Sequence, residues 1–251
     1  MELKVLGTVS PYCQQDKNCP GYLITTEDSK FLLDCGNGIT RNLNFPNDLN
    51  NLTIIISHLH RDHYGELFSI AYASYVYHNL NLLTQRIKVY IPAPTSQEEI
   101  LDYNLLTNLG TEQFLEIIPY QLQNTIVERN TTISFSKNPH SIPSYSIKIK
   151  HKDKTIIYSG DTGYIGNTIE KFAAGANLLI CESTFLKNQK KSNDYHLYAH
   201  EAAQIANAAK VKKLLLTHFW PNIDKREYLE EALQTFDKTL VAEENMILKL
   251  K

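Results

Sequence analysis

Between positions 58 and 63 the chain reads His58-Leu59-His60-Arg61-Asp62-His63. Three imidazoles and a carboxylate within six residues cannot all point one way from a regular helix or strand. A strand-to-helix turn, however, can aim side chains at two neighbouring points. His58 and His60 would share one, and Asp62 and His63 would turn toward the other. Imidazole nitrogen and carboxylate oxygen are good ligands for zinc and its first-row neighbours, at roughly 2.0–2.2 Å. Six residues cannot complete two metal spheres, so other segments must contribute. The candidates are His140 in Asn138-Pro139-His140-Ser141-Ile142-Pro143, Asp161 in the turn Ser159-Gly160-Asp161, and His218. A carboxylate at position 161 can bridge two cations, which a neutral imidazole cannot.

The elements that must position these groups show one recurrence. Four apolar runs end abruptly in polar residues: Ile54-Ile55-Ile56 before Ser57-His58, Ile156-Ile157-Tyr158 before Ser159-Gly160-Asp161, Leu178-Leu179-Ile180 before Cys181-Glu182, and Leu214-Leu215-Leu216 before Thr217-His218. Continuous apolar runs are what strands covered on both faces look like. In layered α/β folds, ligands bind beyond the carboxyl ends of such strands. His58, Asp161, Glu182 and His218 are therefore expected at one edge of the sheets.

Around those runs, hydrophobic spacing and turn residues predict strands over Leu3–Thr8, Gly21–Thr26 and Lys30–Asp34. A helix is predicted over Glu66–Tyr77, a strand over Lys88–Pro92, a helix over Ser96–Leu109 and a strand over Phe114–Gln121. A β-meander should run from Thr125 to Tyr158, and the chain should end in a helix over Lys225–Phe236 and a strand over Thr239–Leu250. Lys148, Lys150, Lys152 and Lys154, which surround His151, read as protection of an edge strand in preference to phosphate steering. His78 and His200 read as exposed polar residues.

The chain has 251 residues, 43% hydrophobic and 21% charged, with 25 basic against 27 acidic side chains. This composition suits one globular domain over residues 1–251 and argues against disorder. The near-neutral charge disfavours a free-standing nucleic-acid binder. No apolar run approaches the roughly 20 residues of a membrane helix, and the first residues, Met1-Glu2-Leu3-Lys4, do not resemble a signal peptide. A cytoplasmic protein is expected, in which Cys13, Cys19, Cys35 and Cys181 stay reduced. Cys13 and Cys19 flank Asp16 in a loop, and a plain reduced loop is preferred there over an accessory metal site.

The block His58–His63 resembles the H-x-H-x-D-H signature of the metallo-β-lactamase-fold hydrolases. The openings Gly7-Thr8-Val9-Ser10-Pro11 and Phe31-Leu32-Leu33-Asp34-Cys35-Gly36 are similar to that family's first hairpins. His140, Ser159-Gly160-Asp161-Thr162 and Leu216-Thr217-His218 match its later motifs in order. The resemblance covers the whole chain and implies an α/β fold, the four-layer αββα sandwich, with a binuclear site at one edge. It implies His58, His60 and His140 on one metal, Asp62, His63 and His218 on the other, and Asp161 between them. The cofactor implied is a pair of divalent ions, zinc first, with manganese or iron as alternatives. Two such ions, about 3.5–4 Å apart, lower the pKa of a water between them and neutralise charge building on the substrate.

The segment Tyr195-His196-Leu197-Tyr198-Ala199-His200-Glu201 and the triplet Glu182-Ser183-Thr184 are similar to the ribonuclease Z branch of that family. The roles implied are His196 as general acid and Glu182 as the carboxylate that orients it and raises its pKa. Three departures stand against tRNA as substrate. Only 20 residues separate His140 from Asp161, His218 is followed by Phe219-Trp220-Pro221-Asn222, and the turn Tyr64-Gly65-Glu66-Leu67 is short. The expected reaction is hydrolysis of a small cyclic phosphate or nucleotide-type phosphodiester, with Asp62 also in the catalytic set. The alternatives are a ribonuclease Z-like endoribonuclease, a hydrolase of a carboxylic ester, lactone, thioester or β-lactam, or a binding protein that kept the fold without catalysis. Trp220 and Tyr164, close in sequence to His218 and Asp161, are the expected substrate-binding aromatics. The expected partner is a small-molecule substrate, with no membrane and no tRNA, and the resemblance allows a homodimer.

Overall fold

The computed structural model describes residues 1–112, 114–189 and 195–250. Among the described residues, fourteen strands form two seven-stranded sheets. The first half of the chain supplies β1 (Glu2–Gly7), β2 (Gly21–Thr25), β3 (Lys30–Leu33), β4 (Leu52–Ile55), β5 (Ile87–Pro92) and β6 (Leu115–Tyr120), with helices α1 (Arg61–Tyr64), α2 (Leu67–Asn79) and α3 (Gln97–Glu112). The second half supplies β7 (Thr125–Glu128), β8 (Thr131–Asn138), β9 (Ser144–His151), β10 (Lys154–Tyr158), β11 (Leu178–Glu182), β12 (Leu214–Thr217), β13 (Thr239–Val241) and β14 (Ile247–Lys249). Its helices are α4 (Thr168–Phe172), α5 (Ala199–Ala208) and α6 (Lys225–Leu233).

The strand orders are β14-β1-β2-β3-β4-β5-β6 and β13-β12-β11-β10-β9-β8-β7. Each sheet is antiparallel in one half and parallel in the other, the parallel halves being β3 to β6 and β10 to β13. Period-two alternation shows why the sheets stack. Leu3, Val5, Tyr22, Ile24, Phe31, Leu33, Ile55 and Tyr90 face the core shared with the second sheet. The alternate residues Leu6, Leu23, Leu32, Ile54, Ile56, Val89 and Ile91 pack instead with Leu67, Ile70 and Leu106 of α2 and α3. Strands β2 to β5 in the middle of this sheet are thus covered on both sides, as side chains on alternating faces require. On the second sheet the outer cover includes Ala199, Ala202, Ala203, Ile205 and Ala206 of α5, small residues that let the helix lie close. The architecture is the expected αββα sandwich. Among the described residues, no helix is long and apolar enough to cross a membrane.

Two sequence expectations are corrected. The stretch Thr239–Leu250 is not one strand: β13 pairs with β12 in the second sheet and β14 with β1 in the first. Between them Asn245 adopts φ 63°, which breaks the extended path, and Glu244 accepts hydrogen bonds from the backbone N–H and side-chain amide of Asn18. The lysines around His151 do not guard an edge, because β9 lies between β8 and β10 and the edges of that sheet are β7 and β13. Lys148 lays its ammonium 4.3 Å from the centre of the Phe172 ring. His151 is buried and bonds Thr131 Oγ1 at 2.9 Å.

Candidate metal centre

The carboxyl ends of parallel strands from both sheets converge. His58 follows β4, Asp161 follows β10, Glu182 closes β11 and His218 follows β12. After β4 the chain alternates: His58 and His60 turn to the centre, while Leu59 is buried in the core beneath α2. At α1 the chain turns, and its first residues present Asp62 and His63. Gly36, in the loop after β3, lies so close to α1 that an added Cβ would sit 2.2 Å from the Asp62 carbonyl oxygen. Gly160 takes φ +57°, and a Cβ there would meet the Tyr145 carbonyl at 2.9 Å. The carbonyls of Ser159 and Asp161 are held by Asn138 Nδ2 at 2.7 and 3.0 Å, and Ser144 Oγ adds a bond of 2.7 Å to Asp161. His218 itself adopts φ 62°, an uncommon conformation for a side chain of its size.

Two main donor clusters result, one of His58, His60, His140 and Asp161 and one of Asp62, His63 and His218, with Asp161 Oδ1 reaching the second as well. A third, overlapping group joins Asp161 and His218 to His196. In the first, His58 Nε2 lies 3.0 Å from His60 Nδ1, which lies 3.2 Å from His140 Nε2. Asp161 Oδ2 is 3.5 Å from His58 Nε2 and 4.0 Å from His140 Nε2. In the second, His63 Nε2 lies 3.5 Å from Asp62 Oδ2 and 3.4 Å from Asp161 Oδ1. His218 Nε2 lies 3.0 Å from Asp161 Oδ1 and 4.0 Å from Asp62 Oδ2. A cation held tetrahedrally at about 2.1 Å sets its ligand atoms about 3.4 Å apart, in the middle of these distances.

The burial of these atoms tests the fit independently. Asp161 Oδ1, His63 Nε2 and His218 Nε2 are all buried and, close as they lie, make no well-directed hydrogen bond among the described residues. Three orphaned polar atoms facing one another would be costly in a metal-free core. Electrostatics agree. Burial, and then neighbouring imidazoles, lower His58 far below the usual histidine range and His60 to about 4. Burial also lowers His140. All three are thus neutral at neutral pH, the form that ligates metal. Burial opposes ionisation of Asp161, yet His218, His63 and His58 hold its carboxyl far below the ordinary range. His63 is the converse: burial would lower it, but Asp161, Asp62 and Asp34 raise it strongly, so a cation there would replace a proton.

The outer nitrogens of four imidazoles are also fixed. His63 Nδ1 meets Asp34 Oδ2 at 2.6 Å, His58 Nδ1 meets Ser57 Oγ at 3.0 Å, and His218 Nδ1 meets Thr184 Oγ1 at 2.8 Å. His140 Nδ1 meets the Tyr195 carbonyl at 3.1 Å. Ser10 Oγ donates to Asp62 Oδ2 at 2.7 Å. Such partners orient metal ligands and tune their basicity. Asp34 is the residue that sequence reasoning missed as a functional group. It is fully buried and also accepts bonds from the Ser57 N–H at 2.6 Å, Ser57 Oγ at 2.8 Å and the Tyr158 hydroxyl at 2.7 Å. The signal was present, because Leu32-Leu33-Asp34 is a fifth apolar run ending in a carboxylate.

Glu182 and His196 meet beside the clusters. Glu182 Oε1 lies 3.0 Å from His196 Nδ1 and accepts the Thr162 N–H at 2.9 Å. Its Oε2 accepts Thr184 Oγ1 at 2.8 Å and the Leu197 N–H at 3.1 Å. Burial would lower the His196 pKa, but the Glu182 carboxylate raises it to about 9. Above the centre is an open depression of about 500 Å³, lined by Ser10, Pro11, Leu59, His60, Asp161 and His196 among others. Trp220 and Tyr164 are not among its lining residues, and each is 38% exposed elsewhere. His78 bonds the Leu83 carbonyl, and His200 pairs with Glu231 at 2.9 Å, half-buried rather than exposed. Cys13 is exposed and Cys19 buried, and neither belongs to a metal-competent cluster of the described residues.

An αββα frame with a histidine and aspartate cluster at the strand ends defines a metallo-hydrolase class. The comparisons agree: a family model described as "Beta-lactamase superfamily domain" matches residues 29–219, and the chain belongs to that superfamily. Metal-dependent hydrolysis and divalent metal binding are what that family implies for it. Within the family, the chain is similar to "Probable metallo-hydrolase YhfI" of Bacillus subtilis, at 27% identity over 94% of this chain and 93% of that protein. The crystal structure of YhfI superposes with a TM-score of 0.89 at 25% identity, covering 98% of each chain. The chain is also 27% identical to ribonuclease Z of Saccharolobus solfataricus, over the full length of both. The short form of human tRNase Z shares the fold, with a TM-score of 0.78 at 21% identity and full coverage of both chains.

Proposed function

We propose that the chain is a dinuclear metal-dependent phosphodiesterase acting on a small cyclic phosphate or nucleotide-type substrate. The observation that carries this reading is the His196–Glu182 pair, held 3.0 Å apart beside the shared carboxylate of Asp161. Cleaving a phosphodiester expels a poor alkoxide leaving group, which needs a proton as it departs. An activated acyl substrate has no such need. With Nδ1 engaged by Glu182, Nε2 is the ring nitrogen left to donate that proton to the leaving oxygen as the P–O bond breaks. Glu182 does not touch substrate in this scheme; it keeps His196 protonated and fixes its ring.

His58, His60 and His140 would hold one cation, Asp62, His63 and His218 the other, with Asp161 reaching both. Bound there, two divalent ions supply Lewis acidity toward the phosphoryl oxygens and an activated water. Ser10 steadies the Asp62 carboxylate, and Asp34 fixes the His63 ring. The ribonuclease Z relative supports phosphodiester chemistry, while two features argue for a small substrate. The match to that enzyme runs over 301 positions, so 50 of them have no counterpart in this chain of 251 residues. The net charge of −2 also gives no overall electrostatic attraction toward tRNA.

The test compares hydrolysis of bis(p-nitrophenyl) phosphate and p-nitrophenyl acetate by metal-reconstituted protein, with Asp161→Ala as background. Phosphodiester turnover that disappears in Asp161→Ala supports the reading, as does a sharp drop in His196→Ala on the alkoxide-leaving dinucleotide ApA that is not matched on bis(p-nitrophenyl) phosphate, whose p-nitrophenolate leaves without a proton. Ester cleavage without phosphodiester turnover would overturn it in favour of an acyl hydrolase.

A further inference from the structure

The rim of the centre carries one cationic side chain that the proposed chemistry leaves unused. Arg61 stands between His60 and Asp62, and its side chain is 82% exposed. It is the only lysine or arginine among the described residues lining the depression over the clusters. Its Nη2 lies 3.8 Å from Asp102 Oδ1 on α3. Arg61 and Asp102 also line a second depression, of about 410 Å³, together with Asn37, Tyr64, Phe68 and Leu105. The two depressions therefore meet at this ion pair. In the second one, Phe68 is 38% and Leu105 49% exposed, which makes an apolar wall beside a polar floor.

Building on the phosphodiesterase reading, we propose that the Arg61–Asp102 ridge and the second depression form a subsite for the non-reacting end of an extended substrate. Arg61 takes a second phosphate there, and Phe68 and Leu105 take a nucleobase. The Arg61–Asp102 contact is weak, because 3.8 Å is longer than a hydrogen bond and the Arg61 head is well hydrated; Asp102 is only 24% exposed and also bonds Tyr64. The guanidinium fork matches phosphate in two parallel hydrogen bonds, so an arriving phosphate competes well with a single carboxylate oxygen at 3.8 Å. Asp102 is then a competitor for Arg61, and it tunes how readily the anion is accepted. The substrate class is a short phosphodiester bearing both a terminal phosphate and a base.

The test uses the holoenzyme and three substrates: the 5′-phosphorylated dinucleotide pApA, its unphosphorylated form ApA, and bis(p-nitrophenyl) phosphate. Charge-assisted hydrogen bonds predict that wild type prefers pApA over ApA by roughly tenfold or more in kcat/KM, mainly through KM. Arg61→Ala should abolish that preference while bis(p-nitrophenyl) phosphate turnover stays near wild type, which also reports an intact fold. Asp102→Asn should move the other way and lower KM for pApA. A merely structural role would make both variants worse on every substrate, and that result overturns the proposal. Equal handling of pApA and ApA by wild type, with bis(p-nitrophenyl) phosphate cleaved, overturns the subsite alone. If bis(p-nitrophenyl) phosphate is not cleaved, the phosphodiesterase reading fails and the subsite fails with it.

Discussion

Asp34→Asn isolates what the layer behind the ligands contributes. The exchange keeps the shape of the side chain and one acceptor oxygen, and Asn tolerates the left-handed backbone that Asp34 adopts at φ 56°. What it removes is charge. Asp34 Oδ2 accepts from His63 Nδ1, Tyr158 and Ser57 Oγ within 2.6–2.8 Å, and an amide NH2 in that place would face three donors. Hydrogen bonds to charged groups are worth roughly 1.5–3 kcal/mol each. Loss of an outer partner of this kind typically weakens metal binding by about 10–100-fold, or roughly 1.4–2.7 kcal/mol. His63 belongs to the cluster with Asp62 and His218, so the loss should fall on one of two stepwise constants. Chelator-competition titration reads both constants, and a thermal melt of the stripped protein reads the cost to the fold. Wild-type values for both constants in Asp34→Asn would refute the assignment of Asp34 as the group that orients His63.

Four further outcomes follow from the same geometry. As the proposed general acid, His196 would have to be protonated, so activity that needs it should hold below about 9 and fall as pH rises through that value. Glu182→Gln removes the group that raises the pKa, so the alkaline limb of the kcat profile should move toward or below 6.5, and an unmoved limb would exclude the pair from catalysis. Gly160→Ala forces a Cβ into a left-handed turn, 2.9 Å from the Tyr145 carbonyl. Strain and overpacking together cost roughly 2–4 kcal/mol, lowering Tm by about 5–15 °C in a calorimetric scan. Adding metal to stripped protein should satisfy the orphaned atoms of Asp161, His63 and His218, and raise Tm by an amount equivalent to about 2.7 kcal/mol for each site filled at one hundred times its Kd.

Much of the centre was readable because its residues obey a local rule. A buried parallel strand must be apolar throughout, so the first polar residues after it mark the edge where ligands gather. That rule located His58, Asp161, Glu182 and His218. Applied to Leu32-Leu33-Asp34 it would have located Asp34 as well, but a single carboxylate after a short strand carries no histidine to draw notice. Ser10, Ser57 and Thr184 were out of reach, since a hydroxyl gains its role only from what folds against it. The limits on the fold are also non-local. Thr239–Leu250 looks continuous because local spacing cannot reveal that β14 pairs with β1 at the far end of the chain. The lysines of β9 suggest an edge only while the neighbouring strand β8 is out of view. Trp220 is two residues from His218, but the left-handed turn at His218 redirects the chain and leaves Trp220 outside the depression lining.

The central claim is that Asp161 joins two metal sites that work together on a phosphodiester. It is tested most directly by titrating stripped protein with zinc while counting bound metal and following bis(p-nitrophenyl) phosphate turnover. The account predicts two ions per chain, turnover that appears mainly with the second equivalent, and loss of the paired binding in Asp161→Ala. Full turnover with one ion bound, or two ions still held in Asp161→Ala, would contradict it.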